Sequence, residues 1–176
     1  MAKATGPIYR VKFRRRRDNK TNYARRLALL KSGKTRLVIR KTNRQVLVQF
    51  VNFGEKGDRT VSSVTSKALA KFNWPAKRNL PTAYLTGLLA GKSAMKKGVK
   101  DAILDSGLST PSKSSLLFGA LSGVVDAGVS VPHGEELADG ARLKGAHIDV
   151  YAKARGSSTA VEAEFEKVKK AIMAGG

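Results

Sequence analysis

Cysteine is absent from the 176 residues, which excludes a disulfide scaffold, a thiolate nucleophile and a cysteine metal site together. Histidine occurs only twice. His133 and His147 share no recurring carboxylate motif, and a turn histidine beside Pro132 is usually structural or exposed. Acid–base and metal chemistry are therefore not expected, and no cofactor is. No run approaches the roughly 20 apolar residues of a membrane span. The least polar stretch, 116–131, still holds Ser122, Asp126 and 3 glycines. No apolar core precedes the first arginines, so a secretory signal is not expected in this stretch.

Acidic residues are scarce, and the scarcity is local. Lysine and arginine number 34 against 13 aspartates and glutamates, a net charge of +21. A small soluble domain carries a net charge of about 2–8. Residues 1–100 hold 26 basic and 3 acidic side chains, whereas residues 101–176 hold 8 and 10. One part of the chain thus has the charge of a polyanion-binding surface and the rest that of ordinary protein. Nucleic acid is the expected partner; an acidic membrane surface is the weaker option.

Phosphate-binding loops are missing as well. Neither GxxxxGK[ST] nor GxGxxG occurs. Gly87–Ser93 (GLLAGKS) echoes the first, but has 3 residues between its glycines and sits inside an apolar helical pattern. Close helix packing explains it better. Zinc-finger spacing, a glycine–phenylalanine RNP pattern, a GXXG clamp and a helix-turn-helix are not found.

The periodicity that is present is mixed. Residues 1–13 read as an extended arm punctuated by Gly6-Pro7. Four consecutive arginines, 14–17, repel one another enough to disfavour helix and strand alike until phosphates neutralise them. Asp18 or Asn19 is placed to cap a helix over 22–31, ended at Ser32-Gly33. Strands are expected at 36–41, 45–53 and 59–64, joined as an antiparallel meander. Leu37 and Ile39 should face the core, with Val38 and Arg40 on a partly covered face. A short helix at 65–72 and an irregular stretch around Pro75 follow. Pro81 opens a long helix over 82–100 or slightly shorter, with Gly98 weakening its last turn or ending it, and its small residues Gly87, Gly91 and Ser93 allow close approach to a sheet.

Beyond it come a short strand at 102–104, a loop, a helix at 114–126 stopped by Gly128, and a further strand at 129–131. An acidic helix over 135–146, a weaker element at 147–153, a loop at 155–159 and a terminal helix at 161–173 complete the chain. The fold class is α/β, with helices packed on a mixed, partly antiparallel sheet. The expected organisation is a basic arm (1–21), one α/β domain (22–160) and a C-terminal helix (161–176).

Arginine binds phosphate bidentately and stays charged. The run therefore opens a nucleic-acid track that continues through Lys20, Arg25, Arg26, Lys31, Lys34 and Arg36 to Arg40, Lys41 and Arg44 on the hairpin. Arg10 and Lys12 lie on the arm before it. Tyr9, Phe13 and Tyr23 interleave with these cations and either stack on unpaired bases or anchor the arm to protein. Trp74 has the same two readings, with packing favoured.

Four blocks carry a resemblance: FRRRRDNKTNYARRLALLKSGKTRLVIRK at 13–41, NLPTAYLTGLLAGKSAMKKG at 79–98, AILDSGL at 102–108 and GALSGVVDAGVSVPHGEE at 119–136. They resemble the archaeal large-subunit ribosomal protein L18 family (uL18, related to eukaryotic ribosomal L5). The resemblance covers nearly the whole chain and fades after about residue 151. It implies a three-layer α/β fold and a non-enzymatic, cytoplasmic role in the large ribosomal subunit, binding 5S rRNA and seating it in the central protuberance. Large-subunit rRNA and neighbouring ribosomal proteins are the implied further partners; no membrane or small-molecule substrate is.

Carried over residue by residue, the resemblance implies 5S contact at Arg14, Arg15, Arg16, Arg17, Arg25, Arg26, Lys34, Arg36 and Arg40. The block TPSKSSLLF at 110–118 departs from a family pattern closer to STKGSRVF: Ser114 stands for its glycine and Leu116 for its arginine. Lys113 alone remains as an expected contact in that loop. Thr65 stands where histidine is common. The alternative of another class is a stand-alone nucleic-acid chaperone or architectural binder, and a distant third is an RNA-modifying enzyme.

Overall fold

The computed structural model describes residues 6–75, 77–134, 138–157 and 160–175. After an irregular, exposed segment, α1 (Arg14–Arg17) and α2 (Tyr23–Lys31) lead into a sheet of four strands: β1 (Arg36–Lys41), β2 (Val46–Asn52), β3 (Arg59–Thr65) and β4 (Ile103–Asp105). A 3₁₀ helix (Ser66–Phe72) and α3 (Leu80–Lys96) separate β3 from β4; α4 (Leu116–Asp126), α5 (Gly140–Lys144), α6 (Ala146–Ala154) and α7 (Val161–Ala174) follow. The strand order is β3-β2-β1-β4. β1–β2 and β2–β3 pair antiparallel, and β4 joins β1 in parallel after the α3 crossover. This is the mixed α/β sheet expected from the pattern.

The layers follow from side-chain alternation. On one face Leu37, Ile39, Val46, Val48 and Phe50 pack with Ala83, Ala90, Ala120, Leu121 and Val124 of α3 and α4. Phe50 is wholly enclosed, and such burial contributes about 1.5–3 kcal/mol. On the other face Val38, Gln49 and Val51 face α2, which gives three layers. α7 adds a cover beyond α3, where Phe165, Val168 and Ile172 meet Trp74, Tyr84, Leu85 and Leu88. Trp74 is a packing residue: it is 3% exposed and its Nε1 donates to Thr82 Oγ1 at 2.8 Å. α3 is apolar almost all round because it is surrounded almost all round.

Several local expectations are corrected. Gly87 and Gly91 approach α4, not the sheet. A Cβ on Gly87 would lie 2.0 Å from Ala120 O, and one on Gly91 would lie 2.5 Å from Ala127 Cβ. Gly123 reciprocates, with Tyr84 O at 2.1 Å from its would-be Cβ. Of the three small residues only Ser93 turns to the sheet, accepting from Ser62 Oγ at 2.9 Å. α3 stops at Lys96, at the short end of the expected range and as Gly98 foretold, because Gly98 adopts φ +79. Val99 is therefore beyond the helix and Met95 is 40% exposed. The strand expected at 129–131 is a single parallel bridge, Asp101 to Ser130.

The four arginines form one helical turn, closed by Arg16 and Arg17 N–H donating to Phe13 O. α2 is capped by neither Asp18 nor Asn19 but by Asn22, whose side chain accepts from Arg25 N–H at 3.1 Å; such a cap contributes about 1 kcal/mol. The 147–153 element is helix α6. The expected acidic start at 135–137 and part of the 155–159 loop lie outside the described residues.

Candidate RNA interface

α2 has no buried residue; Leu27 is 57% exposed. A helix that brings so little apolar area to the core must be held by other means, and polar contacts supply them. Arg25 Nη1 donates to Gly107 O at 3.1 Å, in the turn after β4. Arg26 Nη2 meets Asp58 Oδ2 at 2.8 Å, in the turn before β3. The Phe13 ring packs on Tyr23, with centroids 5.1 Å apart, and ties the arm to the same helix. Phe13 remains 70% exposed, so this anchor leaves an aromatic surface in solvent.

Beneath α2, Asp58 and Asp105 organise the cations. Arg36 Nη2 lies 2.7 Å from Asp58 Oδ2 and its Nη1 donates to Asp105 Oδ2 at 3.1 Å. Arg40 Nη2 donates to Asp105 Oδ1 at 2.9 Å, and its Nη1 to the Asp105 carbonyl at 2.6 Å. Burial raises the Asp105 carboxyl pKa. The Arg40 hydrogen bond and charge, the Gly107 N–H and the Arg36 charge outweigh burial and hold it below the usual value. Gly107 has φ +62, and a Cβ there would fall 2.8 Å from the Arg40 guanidinium carbon. A side chain at this position would collide with the cation that the turn supports.

The result is an open cleft of about 580 Å³ between α2 and the sheet. Of the residues expected to touch RNA, it gathers Arg15, Lys20, Arg25, Arg26, Arg36 and Arg40. Arg36, 4% exposed, forms part of its floor rather than its rim. Arg15 Nε donates to Thr21 Oγ1 at 2.8 Å, and Lys20 stands 3.6 Å from Asp18. Arg10, Lys12, Arg14, Arg16, Arg17 and Tyr23 lie outside the cleft on the arm, α1 and α2, the five cations exposed. Lys34 pairs with Asp101 at 3.4 Å. Lys41 and Arg44 are exposed at the hairpin end, and Lys113 is exposed in the loop before α4.

The two aspartates and Gly107 are what reading the residues one by one missed. Asp58 carried a signal: it is one of only 3 acids among the first 100 residues. Its partners, Arg26 and Arg36, come from two different elements.

Residues 8–103 match the family described as ribosomal large subunit proteins 60S L5 and 50S L18. The large ribosomal subunit protein uL18 of Halobacterium salinarum (strain ATCC 29341 / DSM 671 / R1) is 47% identical over 180 residues, spanning 97% of this chain and 98% of the relative. The chain belongs to the uL18 family. The uL18 of Natronomonas pharaonis is 54% identical over 152 residues, covering 85% of this chain and 83% of its own. That of Korarchaeum cryptofilum is 50% identical over 159 residues, covering 89% and 82%. Membership in the uL18 family makes this a structural ribosomal protein of archaeal type and not an enzyme. In that frame the cleft is a set of positioned cations.

Proposed function

We propose that the chain is a constituent of the large ribosomal subunit that binds 5S rRNA and helps seat it in the central protuberance. The observation that carries this reading is the division of labour among the cations. Asp58 and Asp105 fix Arg26, Arg36 and Arg40 in place, while Arg10, Lys12, Arg14, Arg16 and Arg17 have no side-chain partner among the described residues. A rigid floor of guanidinium groups beside a solvated row of them suits a folded polyanion whose backbone runs along the arm and α2.

Tyr23 and its partner Phe13 offer aromatic surface to unpaired bases. Lys20, Arg15, Arg25, Lys34, Lys41, Arg44 and Lys113 extend the proposed contact set, and Arg36 acts in it by positioning its neighbours. Large-subunit rRNA and adjoining ribosomal proteins are the further partners of this reading, which places the chain in the cytoplasm within the subunit.

The test is identification of the RNA that copurifies with untagged protein, followed by filter binding of 5S rRNA across a salt series. If 6–8 phosphates are neutralised, the log–log slope lies at about −5 to −7. A slope shallower than about −2, or equal affinity for 5S rRNA and an unrelated folded RNA, rejects the proposal. Equal affinity would instead favour a stand-alone chaperone.

A further inference from the structure

A second cleft, of about 540 Å³, opens at the end of the sheet where β1 and β4 begin, beside the C-terminal end of α3. Its cations are Arg59, Lys97 and Lys100, all exposed. None of them belongs to the arginine-rich track. The one acid in its lining, Asp101, is engaged by Lys34 at 3.4 Å. Arg59 and Lys100 have no side-chain partner among the described residues.

Lys97 is positioned. The register of β2 against β3 shifts between Phe50 and Val51, so Val61 faces no residue of β2. The Val61 carbonyl accepts from Lys97 Nζ at 2.6 Å. A bulge thus redirects a backbone acceptor to hold an ammonium at the rim of the cleft. An ammonium has three protons, so two remain for another acceptor.

We infer that this cleft binds the phosphodiester backbone of a stretch of RNA other than the one seated along α1 and α2. The inference rests on reading the chain as an RNA-binding ribosomal protein. Three cations against one already-paired carboxylate call for an anion, and Arg59 at the start of a strand and Lys97 at the end of a helix sit on rigid elements. None of the lining residues is aromatic, so the cleft lacks the stacking surface that single-stranded bases use. The hydroxyls of Thr35 and Thr60 suit phosphate and ribose oxygens. The ligand is therefore the backbone of a duplex, in contrast to the α2 side with its exposed Phe13.

The experiment uses the full chain saturated with 5S rRNA and a labelled short RNA duplex as the second ligand. The variant is Arg59→Glu/Lys100→Glu. Both positions are exposed, and Lys97 is left intact because it bonds to Val61; equal urea midpoints for parent and variant confirm the fold. The parent complex should bind the duplex without releasing 5S rRNA. The variant should lose at least tenfold in duplex affinity and keep its 5S affinity within twofold. Displacement of 5S rRNA by the duplex, an unchanged duplex affinity, or an equal loss for both RNAs would each overturn the inference. A parent that does not prefer 5S rRNA but binds the duplex through Arg59 and Lys100 would sink the proposed function and leave this site standing.

Discussion

Replacing Asp105 by alanine removes the carboxylate that joins Arg36 and Arg40. Asp105 is 7% exposed and Arg36 4%, so the change leaves a guanidinium enclosed with part of its compensation gone. Breaking a buried pair in this way costs about 3–5 kcal/mol. Arg36 keeps Asp58 at 2.7 Å and the Arg40 side chain is 39% exposed, which argues for the lower end, about 3 kcal/mol. For a chain of this length that lowers Tm by about 6–12 °C.

Asp105→Asn keeps an acceptor for the Gly107 N–H and should cost about half as much. The folded-state pKa of Asp105 is lowered. Its contribution is therefore fully present above the unfolded value of about 3.9 and is lost as pH falls through the lower folded value. Urea unfolding of the parent and both variants at pH 7, then at steps below pH 4, measures this. The gap between parent and Asp105→Asn should narrow only in the acid limb. A loss below about 1 kcal/mol for Asp105→Ala at pH 7, or a gap that does not close in acid, refutes the view that this carboxylate organises the cleft.

Replacing all of Arg14–Arg17 by alanine should weaken 5S rRNA binding at least tenfold while leaving the urea midpoint unchanged, since α1 buries no residue; filter binding and unfolding on one preparation check both halves. Gly91→Leu should destabilise by about 1–3 kcal/mol, because even a Cβ there would stand 2.5 Å from Ala127 Cβ; RNA affinity of the folded fraction should be unchanged, and lost affinity with parental stability would make the glycine-rich stretch a ligand site. Ser114→Gly should stabilise by up to about 1 kcal/mol, because Ser114 holds φ +56 and relief of left-handed strain exceeds the added chain entropy of glycine; a lower unfolding midpoint would contradict that balance.

Elements governed by neighbours in sequence were legible. β1 follows from alternating Leu37 and Ile39, the end of α3 from Gly98, and α4 from Leu117, Leu121 and Val124 at helical spacing with Gly128 after them. Pairings between distant segments were not. That Gly87 meets α4 instead of the sheet depends on how two helices cross, and both partners satisfy the same small-residue pattern. The candidate site divides in the same way. The cations are read from composition, but which of them are tied down is set by Asp58 and Asp105, and the residues around either aspartate do not disclose its partners. Arg36 shows the difference: in sequence it continues a basic track, and in the fold it is enclosed beneath the track.

The cover that α7 lays over α3 bears on the order of events during synthesis. The arm and α2 leave the ribosome first, yet β1 lacks its parallel neighbour until residue 103 has been made, and Trp74 and Tyr84 lack Phe165 until the chain is nearly finished. Domains close as units once their parts are present. A nascent chain of this protein therefore displays its cations well before the body that positions them is complete. Its first arginines emerge well before Asp105, the carboxylate that later fixes Arg36 and Arg40.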